Sequence, residues 1–117
     1  MNNVVKAFKA LSDGTRLRIL NILLERECCV CEVMQVLGIS QPSASRHLSV
    51  LHDAGFLSAR KEGIWMLYNI DGQGMPDFCR EMVEAVRVAL KDIPEAVGDR
   101  GRMADACKII VGACARG

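Results

Sequence analysis

The sequence predicts a mostly α-helical domain with one small β-hairpin, an α+β fold, and three observations lead to that class. Most of the chain falls into segments whose apolar residues recur every three or four positions, as in amphipathic helices. One stretch instead reads as two short strands around a glycine turn. At 117 residues, with 50% hydrophobic and 25% charged side chains, the chain is long and apolar enough for one compact domain.

Four helices are predicted before the strand pair. The first covers residues 4–11, where apolar side chains form one stripe. The second begins near Thr15 and carries so many leucines and isoleucines that it is expected to be central and mostly buried. Two shorter helices follow, over 30–37 and from the capping and proline residues at 40–42 to about residue 54. Gly38 lies between them as a C-cap.

The strand pair is predicted at 56–62 and 65–70, joined by a tight turn at Gly63. Two adjacent strands with so short a connection form an antiparallel ribbon. A long helix then runs from about Asp77 up to Pro94, because apolar residues repeat at helical spacing along it.

The chain is expected to divide at residue 93. Residues 1–93 hold the elements described above, and residues 94–117 form a C-terminal extension. A glycine-rich hinge is predicted within it at 98–101. A last helix is predicted over about 103–115, because apolar residues there again fall at helical spacing.

The chain has six cysteines, and their role depends on the cellular compartment of the protein. No apolar signal segment opens the chain, because polar and basic residues interrupt its first ten positions, and no run approaches the roughly 20 apolar residues of a membrane span. We therefore expect a cytoplasmic protein. Structural disulfides are rare in that compartment, so clustered cysteines indicate metal binding or redox chemistry.

The formal net charge of +1 hides an asymmetry along the chain. Lysines and arginines minus aspartates and glutamates give +3 over residues 1–61, −5 over 62–99 and +3 over 100–117. A basic first half beside an acidic segment suits a protein that presents one face to phosphate and keeps another away from it.

Two short helices joined by a tight turn and followed by a strand pair predict a winged helix-turn-helix, whose second helix enters the major groove of DNA. On that helix Ala44, Leu48 and Leu51 share the face that docks on the core. Hydroxyl and guanidinium groups occupy the opposite face, and a basic pair before the wing turn suits the phosphate backbone. The candidate DNA-binding residues are Ser40, Gln41, Ser43, Ser45, Arg46, His47, Ser49, Arg60 and Lys61.

Three strings carry a family resemblance: LSDGTRLRIL at 11–20, SQPSASRHL at 40–48 and LHDAGFL at 51–57. Together they resemble the ArsR/SmtB family of bacterial metal-responsive repressors, over about residues 3–93. The resemblance implies a homodimeric winged-helix repressor that stays on an inverted-repeat operator until an effector binds. It also implies that the first and the long fifth helix form the dimer interface, and the apolar stripes on both helices favour this independently.

Cys28, Cys29 and Cys31 are the candidate effector ligands. Thiolates are soft ligands that select thiophilic ions, and a helix N-terminus lowers the pKa of a cysteine. Residues two apart do not share a helix face, so we expect one ion held by Cys29 and Cys31 to unwind the start of that helix. The distortion would then disturb the second helix of the helix-turn-helix, here called the reading helix, and release the protein from its operator.

Within the family, this segment resembles the arsenite and antimonite sensors, whose motif is Cys-Val-Cys followed by a third cysteine three residues later. Cys29 and Cys31 match that motif, Met34 stands at the third position, and Cys28 is an addition before it. The resemblance implies As(III) or Sb(III) as effector and no organic cofactor. The third thiolate would come from Cys28 or from elsewhere in the chain, or two thiolates would suffice.

Other effectors stay open for the same fold. Oxidation that pairs two of these thiols is one. A zinc or cadmium response is another, although no histidine follows His52 and zinc prefers four ligands. A thiol enzyme is a poor alternative, because no general base lies beside the cluster, so we expect no enzymatic activity. Cys79, Cys107 and Cys114 are expected to be mainly structural, the last two lying too far apart on one helix to share an ion or a disulfide.

Overall fold

The computed structural model describes residues 1–70, 73–110 and 113–114. Within those ranges no helix is long and apolar enough to cross a bilayer. The helices and strands of the described residues are α1 (Asn2–Leu11), α2 (Gly14–Leu23), β1 (Cys28–Cys29), α3 (Val30–Leu37), α4 (Gln41–Asp53), β2 (Ser58–Glu62), β3 (Trp65–Asn69), α5 (Asp77–Leu90), α6 (Pro94–Arg102), β4 (Ile109–Ile110) and β5 (Ala113–Cys114).

Local capping groups set the ends of the central helices. The carboxylate of Asp13 accepts the Arg16 backbone N–H at 3.0 Å at the start of α2. The hydroxyl of Ser40 accepts the Ser43 backbone N–H at 3.3 Å at the start of α4. Gly38 ends α3 in the left-handed region, at φ +68°, which a residue without a Cβ adopts easily. The predicted helix-turn-helix and its short connection are therefore confirmed.

The hairpin of β2 and β3 is antiparallel, as predicted, with Gly63 at φ +59° in its turn. The sequence did not predict β1, which adds a third strand and gives the order β1-β3-β2. In that sheet Cys28 lies opposite Tyr68 and Cys29 lies opposite Leu67. The hairpin is thus tied directly to the residues that precede α3.

The core forms around α2, which packs against α1, α4, α5 and α6. Full burial of a large aliphatic or aromatic side chain contributes about 1.5 to 3 kcal/mol to stability. Because α2 carries several such side chains, it is the centre of the hydrophobic core. In contrast, α1 and α5 leave apolar side chains in solvent, with Phe8 59% and Val88 60% exposed. The largest fully buried side chains include Ile19, Leu20, Ile22, Leu48, Leu51, Phe56 and Leu67.

The predicted hinge at 98–101 is wrong, because α6 runs through it. Pro94 occupies the first turn of α6, where its missing N–H costs nothing. In the middle of the helix the fully buried Asp99 accepts two hydrogen bonds from Arg18 of α2, at 2.8 and 2.9 Å. This tertiary contact offsets the roughly 1 kcal/mol that each glycine costs a helix relative to alanine.

The predicted helix over 103–115 is also wrong. The described part of that segment has turns from residue 103 and then β4 paired antiparallel with β5, with Ile109 opposite Cys114. Residues 111–112 and 115–117, which belonged to the same prediction or followed it, lie outside the described residues. Two adjacent isoleucines open the strand pair, and β-branched residues favour strands over helices.

Candidate nucleic-acid interface and cysteine site

One face of α4 is free of the core. Ala44, Leu48 and Leu51 are fully buried, whereas Arg46 and Ser49 on the opposite side are exposed. No acidic side chain of the described residues pairs with Arg46. An unpaired guanidinium on the outer face of the second helix of a helix-turn-helix is suited to phosphate oxygens or guanine edges.

The first turn of α4 is also polar and accessible. Ser40 and Gln41 are exposed, and Ser43 and Ser45 are partly so. The Gln41 amide donates to the Ser45 hydroxyl at 2.9 Å, which orients both side chains outward from the same helix end. Backbone N–H groups and hydroxyls at a helix N-terminus are common partners of DNA phosphates.

His47 points back toward the protein. Its Nδ1 atom lies 3.2 Å from the guanidinium of Arg16, whose Nε donates to the Ala10 carbonyl at 2.6 Å. Arg16 has only donors, so Nδ1 is the acceptor. Burial lowers the pKa of His47, and the positive charges of Arg16 and Arg46 act in the same direction. The structure therefore engages His47 in fixing α4 on α1 and α2.

The two basic wing residues differ. The guanidinium of Arg60 donates two hydrogen bonds to the Glu27 carboxylate, at 2.8 and 2.6 Å, and pairs with Glu62 at 3.0 Å. The Arg60 guanidinium is also the main cause of the lowered pKa of Glu27. Lys61 is exposed, with no carboxylate of the described chain beside it. The wing thus offers one uncompensated cation, Lys61, and one cation, Arg60, held by its own protein.

The sulfur atoms of Cys29 and Cys31 meet at the start of α3, where the structure joins them in a disulfide. Cys29 is the N-cap residue, with extended backbone angles of φ −84° and ψ 168°, and Cys31 lies in the first helical turn. The two sulfurs therefore meet while α3 stays helical, so the geometric reason for expecting a bound ion to unwind α3 is wrong. The argument from helix faces assumed both residues to be helical, whereas one lies outside the helix.

A buried carboxylate holds Cys29 in place. The Cys29 backbone N–H donates to one oxygen of Glu32 at 3.0 Å, and Arg26 donates to the other oxygen at 2.6 Å. Glu32 is only 3% exposed, so the Arg26 charge compensates the cost of burying it. The same guanidinium donates to the carbonyls of Met103 and Ala106, each at 3.1 Å. Arg26 therefore connects the cysteine pair to the segment after α6.

Cys28 faces away from the pair. It is fully buried in the hydrophobic core, and its thiol lies 3.5 Å from the Arg26 carbonyl. Burial raises the pKa of Cys28 to about 12, and the nearby Glu32 carboxylate acts in the same direction. The expected lowering of thiol pKa at the helix start does not hold for this residue, because it lies in β1 and is packed into the core.

Gln35 makes contacts that the sequence did not indicate. Its amide nitrogen donates to the Cys31 carbonyl at 3.0 Å and to the Cys107 carbonyl at 2.5 Å, while its amide oxygen accepts the Cys107 backbone N–H at 3.2 Å. Cys107 is 3% exposed and disulfide-bonded. A glutamine on an amphipathic helix gives no signal of a partner 72 residues away.

The residues after Cys107 contact the wing. The ammonium of Lys108 pairs with Glu62 of β2 at 3.2 Å and lies 5.6 Å from the ring of Trp65 in β3. The Trp65 indole N–H donates to the Ile109 carbonyl at 3.4 Å. The C-terminal segment therefore touches both α3 and the two wing strands. Across the described ranges, no group of three or more Cys, His, Asp or Glu side chains is arranged to hold a metal ion.

Comparisons with known proteins agree with this architecture. Residues 13–59 match the model of a bacterial regulatory protein family, arsR. The chain is 41% identical over 78 residues to the arsenic resistance transcriptional regulator ArsR2 of Pseudomonas putida, an alignment that covers 66% of this chain and 67% of the relative. It is 44% identical over 72 residues to a cadmium resistance regulatory protein CadC homolog of Staphylococcus aureus, covering 61% of this chain and 60% of the relative.

A solved structure supports the fold as well. The homodimeric winged helix-turn-helix DNA-binding domain of Mb0332 from Mycobacterium bovis superposes with a TM-score of 0.66 at 29% identity, covering 80% of this chain and 82% of that one. The chain spans 60 to 67% of the length of the curated arsenic and cadmium regulators just compared. The family match over residues 13–59 contains α3 and α4, and about a third or more of each curated relative has no counterpart in the alignment.

Proposed function

This chain belongs to the arsR family of bacterial regulatory proteins, and on that premise we propose that it is a transcriptional repressor released from operator DNA when arsenite or antimonite binds Cys29 and Cys31. Members of this family are regulators rather than enzymes. The observation that carries the proposal is the meeting of two cysteine sulfurs at the N-terminus of α3, the helix that packs against the exposed reading helix α4.

The DNA-binding part of the proposal rests on α4 and the wing. Arg46 and Ser49 present donors on the outer face of α4, and Lys61 extends the basic surface onto the wing. The acidic excess of the chain lies over residues 62–99, outside the sequence of α4. A net charge near zero is therefore compatible with a locally basic reading surface.

A homodimer follows from the surface of α1 and α5. Phe8 is 59%, Val5 40% and Val88 60% exposed, and apolar exposure of this kind marks protein interfaces. The Mb0332 domain with the same fold is homodimeric. Two copies related by a two-fold axis place two α4 helices on one side, which matches an operator built as an inverted repeat.

The effector part rests on the chemistry of the pair. Trivalent arsenic and antimony are thiophilic and bind neighbouring thiolates. Cys31 is partly exposed, so an ion can reach the pair from solvent. Glu32 fixes Cys29 through its backbone N–H, and this preorganisation lowers the entropic cost of binding.

The test is fluorescence anisotropy on an operator duplex selected in vitro from a random library. We expect micromolar arsenite to release the reduced protein from the duplex, and Cys29→Ser or Cys31→Ser to abolish release while operator affinity is retained. Cys79→Ser is the matched control, since Cys79 is as fully buried as Cys29 but lies at the start of α5, beside Gly55 and Pro76. Release by cadmium and not by arsenite would assign a different soft ion to the same sulfurs.

A second candidate, a thiol redox switch, is favoured by the disulfide between Cys29 and Cys31. Oxidation by peroxide would join the two sulfurs, and a dithiol would restore the thiols. The same anisotropy assay distinguishes the redox switch from the metalloid sensor. Release by peroxide that dithiothreitol reverses, with no release by arsenite under reducing conditions, selects the redox switch over the metalloid sensor.

A further inference from the structure

We propose that the carboxylate of Glu27 competes with DNA phosphate for the guanidinium of Arg60, and so limits the affinity of the wing for DNA. The inference rests on the DNA-binding part of the proposed function and deepens it, because it names a residue that sets operator affinity without itself contacting DNA. Arg60 is one of the two basic residues before the wing turn, and the structure holds it against the protein.

The contact between Glu27 and Arg60 has the geometry of a strong ion pair. The Nε and Nη2 atoms of Arg60 donate to the two carboxylate oxygens at 2.8 and 2.6 Å, so the pair is bidentate. Charge-assisted pairs of this form are stronger than hydrogen bonds between neutral groups. A phosphate binds a guanidinium in the same bidentate way. The Glu27 carboxylate and a DNA phosphate therefore compete for the same N–H groups.

Glu27 is held in position for this contact. Its side chain is only 28% exposed, and the amide nitrogen of Asn69 in β3 donates to one of its carboxylate oxygens at 3.2 Å. Glu62 is a weaker partner of Arg60, because its side chain is 46% exposed and is shared between Arg60 at 3.0 Å and Lys108 at 3.2 Å. Glu27 is thus the main group that a phosphate has to displace.

The ion pair leaves the wing with less available positive charge than its sequence indicates. Arg60 and Glu27 together carry no net charge, whereas Lys61 is exposed with no carboxylate of the described residues beside it. The number of phosphates that a protein neutralises sets the salt dependence of its affinity for DNA. Release of Arg60 from Glu27 would therefore raise that number by about one.

The position of Glu27 places this competition beside the cysteine site. Glu27 immediately precedes β1, in which Cys29 lies opposite Leu67 of β3, and Leu67 lies in turn opposite Arg60 of β2. Cys29, Leu67 and Arg60 thus form one row across the three strands, with their side chains on the same face of the sheet. The segment that carries the proposed effector ligands therefore also carries the group that withholds Arg60.

The test replaces Glu27 by glutamine, which removes the negative charge and still offers an oxygen to Asn69. In the reduced full chain, anisotropy on the selected operator duplex should show several-fold tighter binding by Glu27→Gln. The slope of log affinity against log salt concentration should steepen by about one. Glu25→Gln is the matched control, because it removes the same charge from a carboxylate that pairs with Arg100 of α6. It should leave both quantities nearly unchanged.

A double variant tests whether the gain depends on Arg60. In Glu27→Gln combined with Arg60→Gln, the tighter binding and the steeper slope should both disappear. A gain that persists in the double variant, or an equal gain in Glu25→Gln, would overturn the inference, since release of Arg60 would not explain it. Unchanged or weaker binding by Glu27→Gln would overturn it as well, because Glu27 would then only support the wing. The proposed function fails on the unsubstituted protein instead, if that protein binds no duplex, which overturns both, or if arsenite does not release it.

Discussion

Substitution of the single residue Arg46 tests whether the exposed face of α4 binds DNA. It is exposed opposite the buried stripe of α4, so Arg46→Ala should weaken operator binding by about 1 to 3 kcal/mol and leave thermal unfolding unchanged. Anisotropy at matched salt measures the first quantity and circular dichroism the second. Lys91→Ala is the control, because it removes an equally exposed positive charge after the end of α5. Equal losses in both variants would indicate nonspecific electrostatics rather than α4 docking.

Cys28 and Cys31 are expected to differ in their reactivity toward alkylating reagents, because only Cys28 is buried in the core. Burial raises the pKa of Cys28 to about 12, so at pH 8 its thiol stays protonated and shielded, whereas Cys31 is partly exposed. In the reduced protein, iodoacetamide should modify Cys31 first and leave Cys28 unmodified until the fold opens. Mass spectrometry after timed alkylation measures the order. Modification of Cys28 at the rate of Cys31 would contradict its placement in the core.

Among the elements, α3, α4 and the β2–β3 hairpin were predictable because their signals are local. Gly38, Ser40 and Gly63 act within a few residues of where they stand. In contrast, β1 exists only because Cys28 and Cys29 pair with a strand some 40 positions along the chain, and no local pattern reports such a pairing. The contact between Gln35 and Cys107 was unpredictable for the same reason.

The docking of α6 on α2 gives a test at the element scale. Asp99 is fully buried and hydrogen-bonded by Arg18, so Asp99→Ala removes the buried carboxylate partner of a partly buried guanidinium and leaves it only the exposed Glu95. We expect a loss of about 3 kcal/mol in the free energy of unfolding, measured by urea denaturation. Glu95 pairs with the same arginine but its side chain is 64% exposed. Glu95→Ala should therefore cost less than about 1 kcal/mol, and equal costs would contradict the docking.

At the scale of the whole molecule, the proposed homodimer predicts that α1 contributes to the contact between the two copies. Phe8→Glu places a charge on the apolar face of α1, where Phe8 is 59% exposed, and should shift sedimentation toward a monomer and weaken operator binding. Ile64→Glu changes the wing turn, where Ile64 is 75% exposed, and should remain dimeric. A Phe8→Glu variant that sediments as a dimer would remove α1 from the interface.

The C-terminal extension joins the parts of the molecule into one unit. Arg26 and Gln35 hold it to the cysteine site, and Lys108 holds it to the wing. The prediction of a separate helix there failed because the spacing of apolar residues in so short a segment cannot distinguish a helix from a short apolar strand. The position of the C-terminal extension thus depends on tertiary contacts, which local sequence patterns do not indicate.

The central claim is that the sulfurs of Cys29 and Cys31 control DNA binding. The most direct measurement is an anisotropy titration of the reduced protein on its operator duplex with increasing arsenite, repeated with Cys31→Ser. The account predicts complete release of the unsubstituted protein and no release of the variant, with equal operator affinity before arsenite is added. Identical titration curves for the two proteins would contradict it.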